Sequence, residues 1–330
     1  EGPRGNVDFC NAIEDFVFGV DAPVRKEGRT LSFTAPGGCG ALSLGVGLMR
    51  RLGVKKVWVS DPTWPNHPKV VQSAGLTTDS YRYADPDTGT ADRAGMLEDL
   101  ARAERGDGVI VQGPCHNPTG IDLTLDDWRA VGAFVKERGL IVMLDVAYHG
   151  FAHGLDKDIA GVRAFIDAAG EALISYSCSK NFGLYRERAG CFLAVGETAD
   201  GIAAATTHVA DISRATWSMP PAHGAGIVAT ILGDAALRAE WEAELTSMRE
   251  RMISLRQALS GELVQRTGSN LLASLTTQNG MFSQLPVTPE GAKALREESG
   301  LYMPGSGRIN IAGLNLKDIP RVAEIIATAL

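Results

Sequence analysis

A chain of 330 residues, 45% apolar and 22% charged, has the composition of a soluble globular protein long enough for two domains. No apolar run approaches the length of a membrane span, so no membrane partner is expected. A net charge of -7 argues against a general attraction to nucleic acid while leaving room for a local basic pocket.

The opening EGPRGNVDFC has neither the basic start nor the apolar run of a signal peptide, and it lacks an initiator methionine, so the true N-terminus is expected upstream. A glycine-rich PGGCGAL at 36–42 then opens onto a helical pattern. From residue 55 onward, short β-rich runs alternate with amphipathic stretches. Residues 55–60 (KKVWVS), 108–112 (GVIVQ), 140–144 (LIVML), 172–176 (ALISY) and 190–195 (GCFLAV) read as strands. Residues 125–137, behind the possible cap Thr124, read as a helix. This repeated alternation predicts an α/β fold with a mostly parallel central sheet flanked by helices. After Asp234 the texture changes to AALRAEWEAELTSMRERMISLRQALSGEL, a long charged helical spine. A division near Thr246 gives a large domain, 1–246, and a smaller α+β C-terminal domain, 247–330. The smaller domain is predicted to hold strands at 279–285 and 308–311 and a last helix over 318–330.

In open α/β sheets ligands bind beyond the carboxyl ends of strands, and the unusual residues fall there. DPTWPNH (61–67), CHNPTG (115–120), DVAYHGF (145–151) and SCSKNFGLYRERAG (177–190) each follow a predicted strand, so one crevice can collect all four. The glycine-rich turn can bring backbone N–H groups close to a phosphate, although most such clusters are simply turns. Asp145 closes an apolar strand, where an ionised side chain needs a partner such as a cationic ring nitrogen; as a bland alternative it caps a turn. Lys180 sits among small hydroxyl residues. A catalytic lysine must be partly desolvated and positioned, whereas an ordinary one is a solvated surface group. Arg188 can clamp a phosphate bidentately beside the hydroxyls of Ser177 and Ser179. Trp64, followed by proline, suits stacking on an aromatic cofactor as well as core filling. Arg308, starting a short strand after Gly-Ser-Gly, can take a carboxylate or form a surface ion pair. The odd, scattered cysteines Cys10, Cys39, Cys115, Cys178 and Cys191 contain no CxxC pair and fit a reducing cytoplasm. His149 and His153, separated by Gly150 and without an acidic ligand nearby, read as ordinary surface or loop histidines, and no metal is expected.

Together these segments resemble the aspartate and aromatic aminotransferases of pyridoxal-phosphate fold type I, from about Gly2 to the C-terminus with the motifs in family order. SMPPAHGA (218–225) and LYMPGSGRINIAGL (301–314) resemble the bacterial aromatic, or tyrosine, branch more than the aspartate branch. The resemblance implies a pyridoxal 5'-phosphate cofactor joined to Lys180 as a Schiff base, with Lys180 later shuttling the substrate proton. It implies that Asp145 holds the pyridine nitrogen protonated, that Tyr148 and Asn117 bond the phenolic oxygen, and that Trp64 stacks on the ring. Gly38, the backbone at Cys39, Ser177, Ser179 and Arg188 would hold the phosphate. Arg308, with Asn117 nearby, would bind the substrate α-carboxylate. Arg214 would reach the distal carboxylate of a dicarboxylic substrate in the neighbouring subunit, which implies a homodimer with shared sites. Tyrosine and phenylalanine are the expected amino donors and 2-oxoglutarate the acceptor in a ping-pong cycle, with aspartate as a further candidate.

Three features depart from the family. Cys39 stands where a serine or threonine is usual, Gln112 replaces a histidine common near the ring, and the segment preceding Gly2, with a tyrosine that contacts the partner's phosphate, is absent from the sequence given. Readings from other classes are a non-catalytic pyridoxal-phosphate-sensing domain of a regulator and a nicotinamide-dependent dehydrogenase. The first would need a basic DNA-binding segment, and the second lacks a GxGxxG after a first strand. Within the same cofactor class, a β-lyase or decarboxylase is the nearer rival, and aspartate aminotransferase is the alternative within the family.

Overall fold

Residues 2–330 are described by a computed structural model of the chain. Seven strands form the central sheet: β1 (Thr30–Pro36), β2 (Lys56–Asp61), β3 (Thr77–Arg82), β4 (Gly108–Gln112), β5 (Ile141–Val146), β6 (Ala172–Ser177) and β7 (Ala189–Val195). Their order across the sheet is β1-β7-β6-β5-β4-β2-β3. Neighbours from β6 to β3 run parallel, and β7 is antiparallel to both β1 and β6, so the sheet is mostly parallel as the alternation predicts.

The inner strands are buried on both faces, which explains their continuous apolar runs. Successive side chains serve opposite layers. Ile110, Met143, Leu173 and Phe192 pack on the side of helix Gly37–Arg51, with its Leu44, Leu48 and Met49. Val109, Val111, Val142, Leu144, Ile174 and Tyr176 pack on the other side with Phe165 of helix Leu155–Ala169. The predicted helix over 125–137 is observed as Leu125–Arg138, with Thr124 and Asp127 forming a reciprocal cap and Gly139 closing it in a left-handed conformation.

Two strands of the central sheet escape the sequence reading, as does the short pair Ala84–Asp85 and Thr90–Ala91 outside it. β3 (TTDSYR) lies at the sheet edge and buries only Tyr81, so it shows no apolar alternation. β1 (TLSFTAP) buries the hydroxyls of Ser32 and Thr34, which are satisfied by Glu14 and Arg4 and by Cys10 and Asn6, so its polar residues conceal a core strand.

The charged spine is a single helix, Ala235–Thr267, which passes unbroken through Thr246. Beyond it, β8 (Phe282–Gln284) and β9 (Arg308–Asn310) form a short antiparallel pair, and helix Ile319–Ala327 packs back on the spine. Both strands are shorter than expected, because Ile311–Gly313 turns into a 3-10 segment and residues 279–281 enter β8 ahead of the ladder, the Met281 carbonyl accepting from the Ile311 N–H at 2.8 Å. Among the described residues, no helix is long and apolar enough to cross a membrane.

Candidate active site

Parallel register aligns the strand ends that build the site. Gln112 of β4 pairs with Asp145 of β5, which in turn pairs with Ser175 of β6. The loops that follow converge on a cavity of about 160 Å3. Ten of the residues expected there line it: Gly38, Cys39, Trp64, Asn117, Asp145, Tyr148, Ser177, Ser179, Lys180 and Arg188. Gln112, Leu42, Ala147 and Tyr185 complete its wall.

Lys180 lies in the turn just after β6, with its Nζ 4.7 Å from the centre of the Tyr148 ring. Burial pulls the amine below the ordinary lysine range; the charges of Asp145 and Cys39 oppose this, and Arg188 adds to it. Tyr148 follows β5 and is itself buried, which raises its phenol well above the usual range, with Asp145 adding to the effect. Asn117 donates from Nδ2 to Tyr148 Oη at 3.3 Å and accepts from Arg308 Nη1 at its Oδ1, 3.0 Å away. Gln112 holds the backbone of Asn117 from both sides, donating to its carbonyl at 3.0 Å and accepting from its N–H at 3.1 Å. The glutamine is therefore a loop clamp in this chain.

Asp145 is buried and bonded to a residue that sequence reasoning left aside: His67 Nε2 lies 3.1 Å from Asp145 Oδ2, and His67 Nδ1 lies 2.8 Å from Thr63 Oγ1. The Nε2-protonated tautomer satisfies both contacts. His67 begins helix His67–Ser73, is wholly buried, and meets the Trp64 ring edge-on at 5.4 Å. No local signal in DPTWPNH marks it, because its partner Asp145 lies 78 residues on. Trp64 itself is only half-buried.

At the opposite end, the glycine-rich turn forms the start of helix Gly37–Arg51; the Gly37 N–H donates to the Arg188 carbonyl at 2.8 Å, and the next N–H groups of the first turn, at Gly38 and Cys39, are the ones available to an anion. Gly37 has φ +68, and a side chain there would collide with the Arg188 guanidinium. A Cβ on Gly38 would lie 3.0 Å from that of Ser177. Arg188, also in the left-handed region at φ 55, is held by donation to the carbonyls of Tyr185, at 2.6 Å, and Pro36, at 3.3 Å. Cys39 is half-buried and accepts at Sγ from Asn66 Nδ2 at 3.6 Å.

Two expected residues lie off the cavity wall. Arg308 starts β9, reaches Asn117, and packs its guanidinium 4.5 Å from the centre of the Phe282 ring. Arg214 lies on helix Ala199–Trp217, is exposed, and is not among the residues lining this cavity. His149 is buried, bonded to Tyr176 Oη at 2.8 Å and to the Leu155 carbonyl at 2.7 Å.

The sequence model of the family described as aminotransferase class I and II matches residues 2–326. The aromatic-amino-acid aminotransferase of Paracoccus denitrificans is 44% identical over 326 residues, 98% of this chain and 82% of the relative. The aspartate aminotransferase of Escherichia coli (strain K12) is 40% identical over 330 residues, 100% of this chain and 83% of the relative. A crystal structure of an aromatic-amino-acid aminotransferase from Burkholderia pseudomallei, covalently bound to pyridoxal phosphate, superposes with a TM-score of 0.95 at 36% identity, covering 99% of this chain and 82% of that one. With the lysine, aspartate, asparagine, tyrosine and arginine gathered in one crevice of the same fold, the chain belongs to the aminotransferase class I and II family, whose chemistry depends on pyridoxal 5'-phosphate.

Proposed function

We propose that the protein transfers the amino group of tyrosine or phenylalanine to 2-oxoglutarate, with aspartate as a further donor. The observation that carries this reading is the half-desolvated Lys180 amine in one cavity with Asp145, Asn117, Tyr148 and Arg188. These residues fit pyridoxal phosphate in charge and in order. The first turn of helix Gly37–Arg51, Ser177, Ser179 and Arg188 offer N–H, O–H and guanidinium donors at one end, and no Cβ fits at Gly37 without displacing that guanidinium. Asp145 offers a carboxylate at the other, and Trp64 a ring face between them. When bound, the cofactor supplies an electron sink for the bond broken at the substrate α-carbon.

The remaining work falls to the chain. Lys180 Nζ takes the α-proton and returns it, and burial favours the neutral amine that this requires. Asp145, braced by His67, would hold the proton on the cofactor's ring nitrogen. Asn117 engages the Tyr148 oxygen through Nδ2, leaving the phenol proton free to donate into the cavity. Arg308, held in place by Asn117, receives the α-carboxylate bidentately. Trp64, Leu42 and Tyr185 supply apolar wall and limit water.

The setting is a cytoplasmic homodimer in which Arg214 serves the neighbouring site. The exposure of Arg214 supports this, as do the exposed Met219 and helix His223–Gly233, which buries only Gly224, Ala225 and Val228 despite its apolar composition. The deciding measurement is the visible absorbance of the protein with added pyridoxal phosphate. Tyrosine is expected to bleach the bound cofactor's band and 2-oxoglutarate to restore it. A response to aspartate alone moves the substrate to the aspartate branch, and a band that no amino acid changes supports a sensing domain instead.

A further inference from the structure

Arg256, in the middle of helix Ala235–Thr267, is only 2% exposed, yet every acceptor its guanidinium reaches is a neutral oxygen. It donates to the carbonyls of Gly280, at 2.7 Å, and Phe282, at 3.2 Å, and to the hydroxyl of Ser283. Burial lowers its pKa to about 10, so it remains charged at neutral pH, and Cys115 and Asp122 act in the opposite sense. A buried cation whose hydrogen-bond acceptors are all neutral is costly, and residues 280–283 gain from it a tie to the spine helix that the strand pair alone does not supply. β8 and β9 are a two-stranded pair of three residues each, extended by one backbone bond at either end, Ile311 N–H to Met281 and Leu285 N–H to Gly307, and a pair this short is marginal on its own.

Register matters here because side chains alternate. Gln284 is the direct partner of Arg308, and Phe282, two residues earlier on the same face, is its diagonal neighbour. The Phe282 ring lies under the Arg308 guanidinium at 4.5 Å and meets the Tyr148 ring edge-on at 6.3 Å. Ser283 points the opposite way, towards the spine helix, where it is wholly buried and also donates to Gln278 Oε1 at 2.6 Å. A slip of one residue would exchange these faces and withdraw the ring from Arg308. The same segment is tied to the large domain, since Asn279 donates from its backbone to the Gly120 carbonyl at 2.7 Å and from Nδ2 to Asp122 at 3.0 Å.

We propose that Arg256 is a positioning residue for substrate binding: by gripping residues 280–283 it keeps Phe282 beneath Arg308 and so aims that guanidinium at the substrate carboxylate. This rests on the reading of Arg308 as the carboxylate site. Arg256 touches neither substrate nor cofactor, so its loss acts on KM for every substrate bearing an α-carboxylate.

The test is steady-state kinetics of both half-reactions in the holoenzyme for Arg256→Met, Arg256→Lys, Ser283→Ala and Arg308→Lys, with cofactor absorbance and melting temperature measured alongside. Arg256→Met is expected to raise KM for tyrosine and for 2-oxoglutarate by about tenfold, with kcat within about threefold and the cofactor band unchanged. Arg256→Lys, which keeps one donor, is expected to recover part of that loss. Ser283→Ala, which leaves both carbonyl contacts, is expected to raise KM about twofold and keeps the question open to measurement if Arg256→Met does not fold. If Arg308→Lys raises KM while the Arg256 and Ser283 variants leave it unchanged, or lower kcat alone, the positioning role is overturned. If Arg308→Lys itself leaves KM unchanged, the carboxylate reading fails instead.

Discussion

His67 Nε2 and Asp145 Oδ2 lie 3.1 Å apart at the buried end of the cavity, and Thr63 fixes the other nitrogen of the same ring at 2.8 Å. The strand-end carboxylate is thus held by a chain of side chains that begins in the loop after β2. Replacing His67 with alanine leaves a buried acceptor short of a donor, which costs about 1–3 kcal/mol. We expect His67→Ala to weaken pyridoxal phosphate binding about tenfold and to lower kcat, with His67→Asn less severe because its amide can still donate. Fluorescence titration of the cofactor checks this, and an unchanged Kd in both variants would show that Asp145 does not depend on the imidazole.

Cys39 offers a second test at the phosphate end. Its thiol is a weak donor, and it faces the cavity from the first turn of helix Gly37–Arg51. Cys39→Ser puts a stronger donor at nearly the same volume. We expect cofactor affinity to rise about threefold, with little change in kcat. Equal affinity for the two proteins would mean that this side chain does not reach the phosphate.

Lys180 carries a sign that can be worked out. Its pKa in the folded chain is depressed by burial, so between the folded and the unfolded values the unfolded chain holds more protons, and stability rises with pH across that window. Without cofactor, the buried amine therefore destabilises the fold at neutral pH and ceases to do so as pH approaches the ordinary lysine range. Lys180→Met removes that cost. In cofactor-free protein we expect the variant to melt about 1–3 °C higher than the parent at pH 7, with the gap closing by pH 10. A gap that widens with pH would contradict the assigned burial.

The sheet and the strand-end crevice were legible because parallel strands buried on both faces leave short unbroken apolar runs, and because DVAYHGF and SCSKNFGLYRERAG place charge where those runs stop. β1 was not legible, since its buried Ser32 and Thr34 are satisfied only by residues 18 to 28 positions away. His67 escaped for a similar reason: its partner Asp145 is 78 residues on, and nothing local distinguishes a buried histidine at a helix start from a solvated one. Arg256 lay hidden among the charges of the spine helix, where only the return of residues 280–283 buries it. Arg214 belongs to a different case, because the role proposed for it lies in a neighbouring subunit.

That role yields a prediction separable from all the others. Arg214 is exposed at the C-terminal end of helix Ala199–Trp217 and does not line the cavity of its own chain. If it serves the partner's site, Arg214→Ala should raise KM for aspartate and 2-oxoglutarate about a hundredfold, because both carry a distal carboxylate, and leave KM for tyrosine within about threefold. Mixing Arg214→Ala with Lys180→Ala subunits sharpens the point. Each homodimer is defective towards aspartate, but a hybrid dimer holds one site with Lys180 from one chain and Arg214 from the other. Recovery of aspartate turnover in proportion to the hybrid fraction is the expected result. No recovery, with hybrids present by native mass spectrometry, would place Arg214 outside the active site and leave the choice between aromatic and dicarboxylic substrates to residues within a single chain.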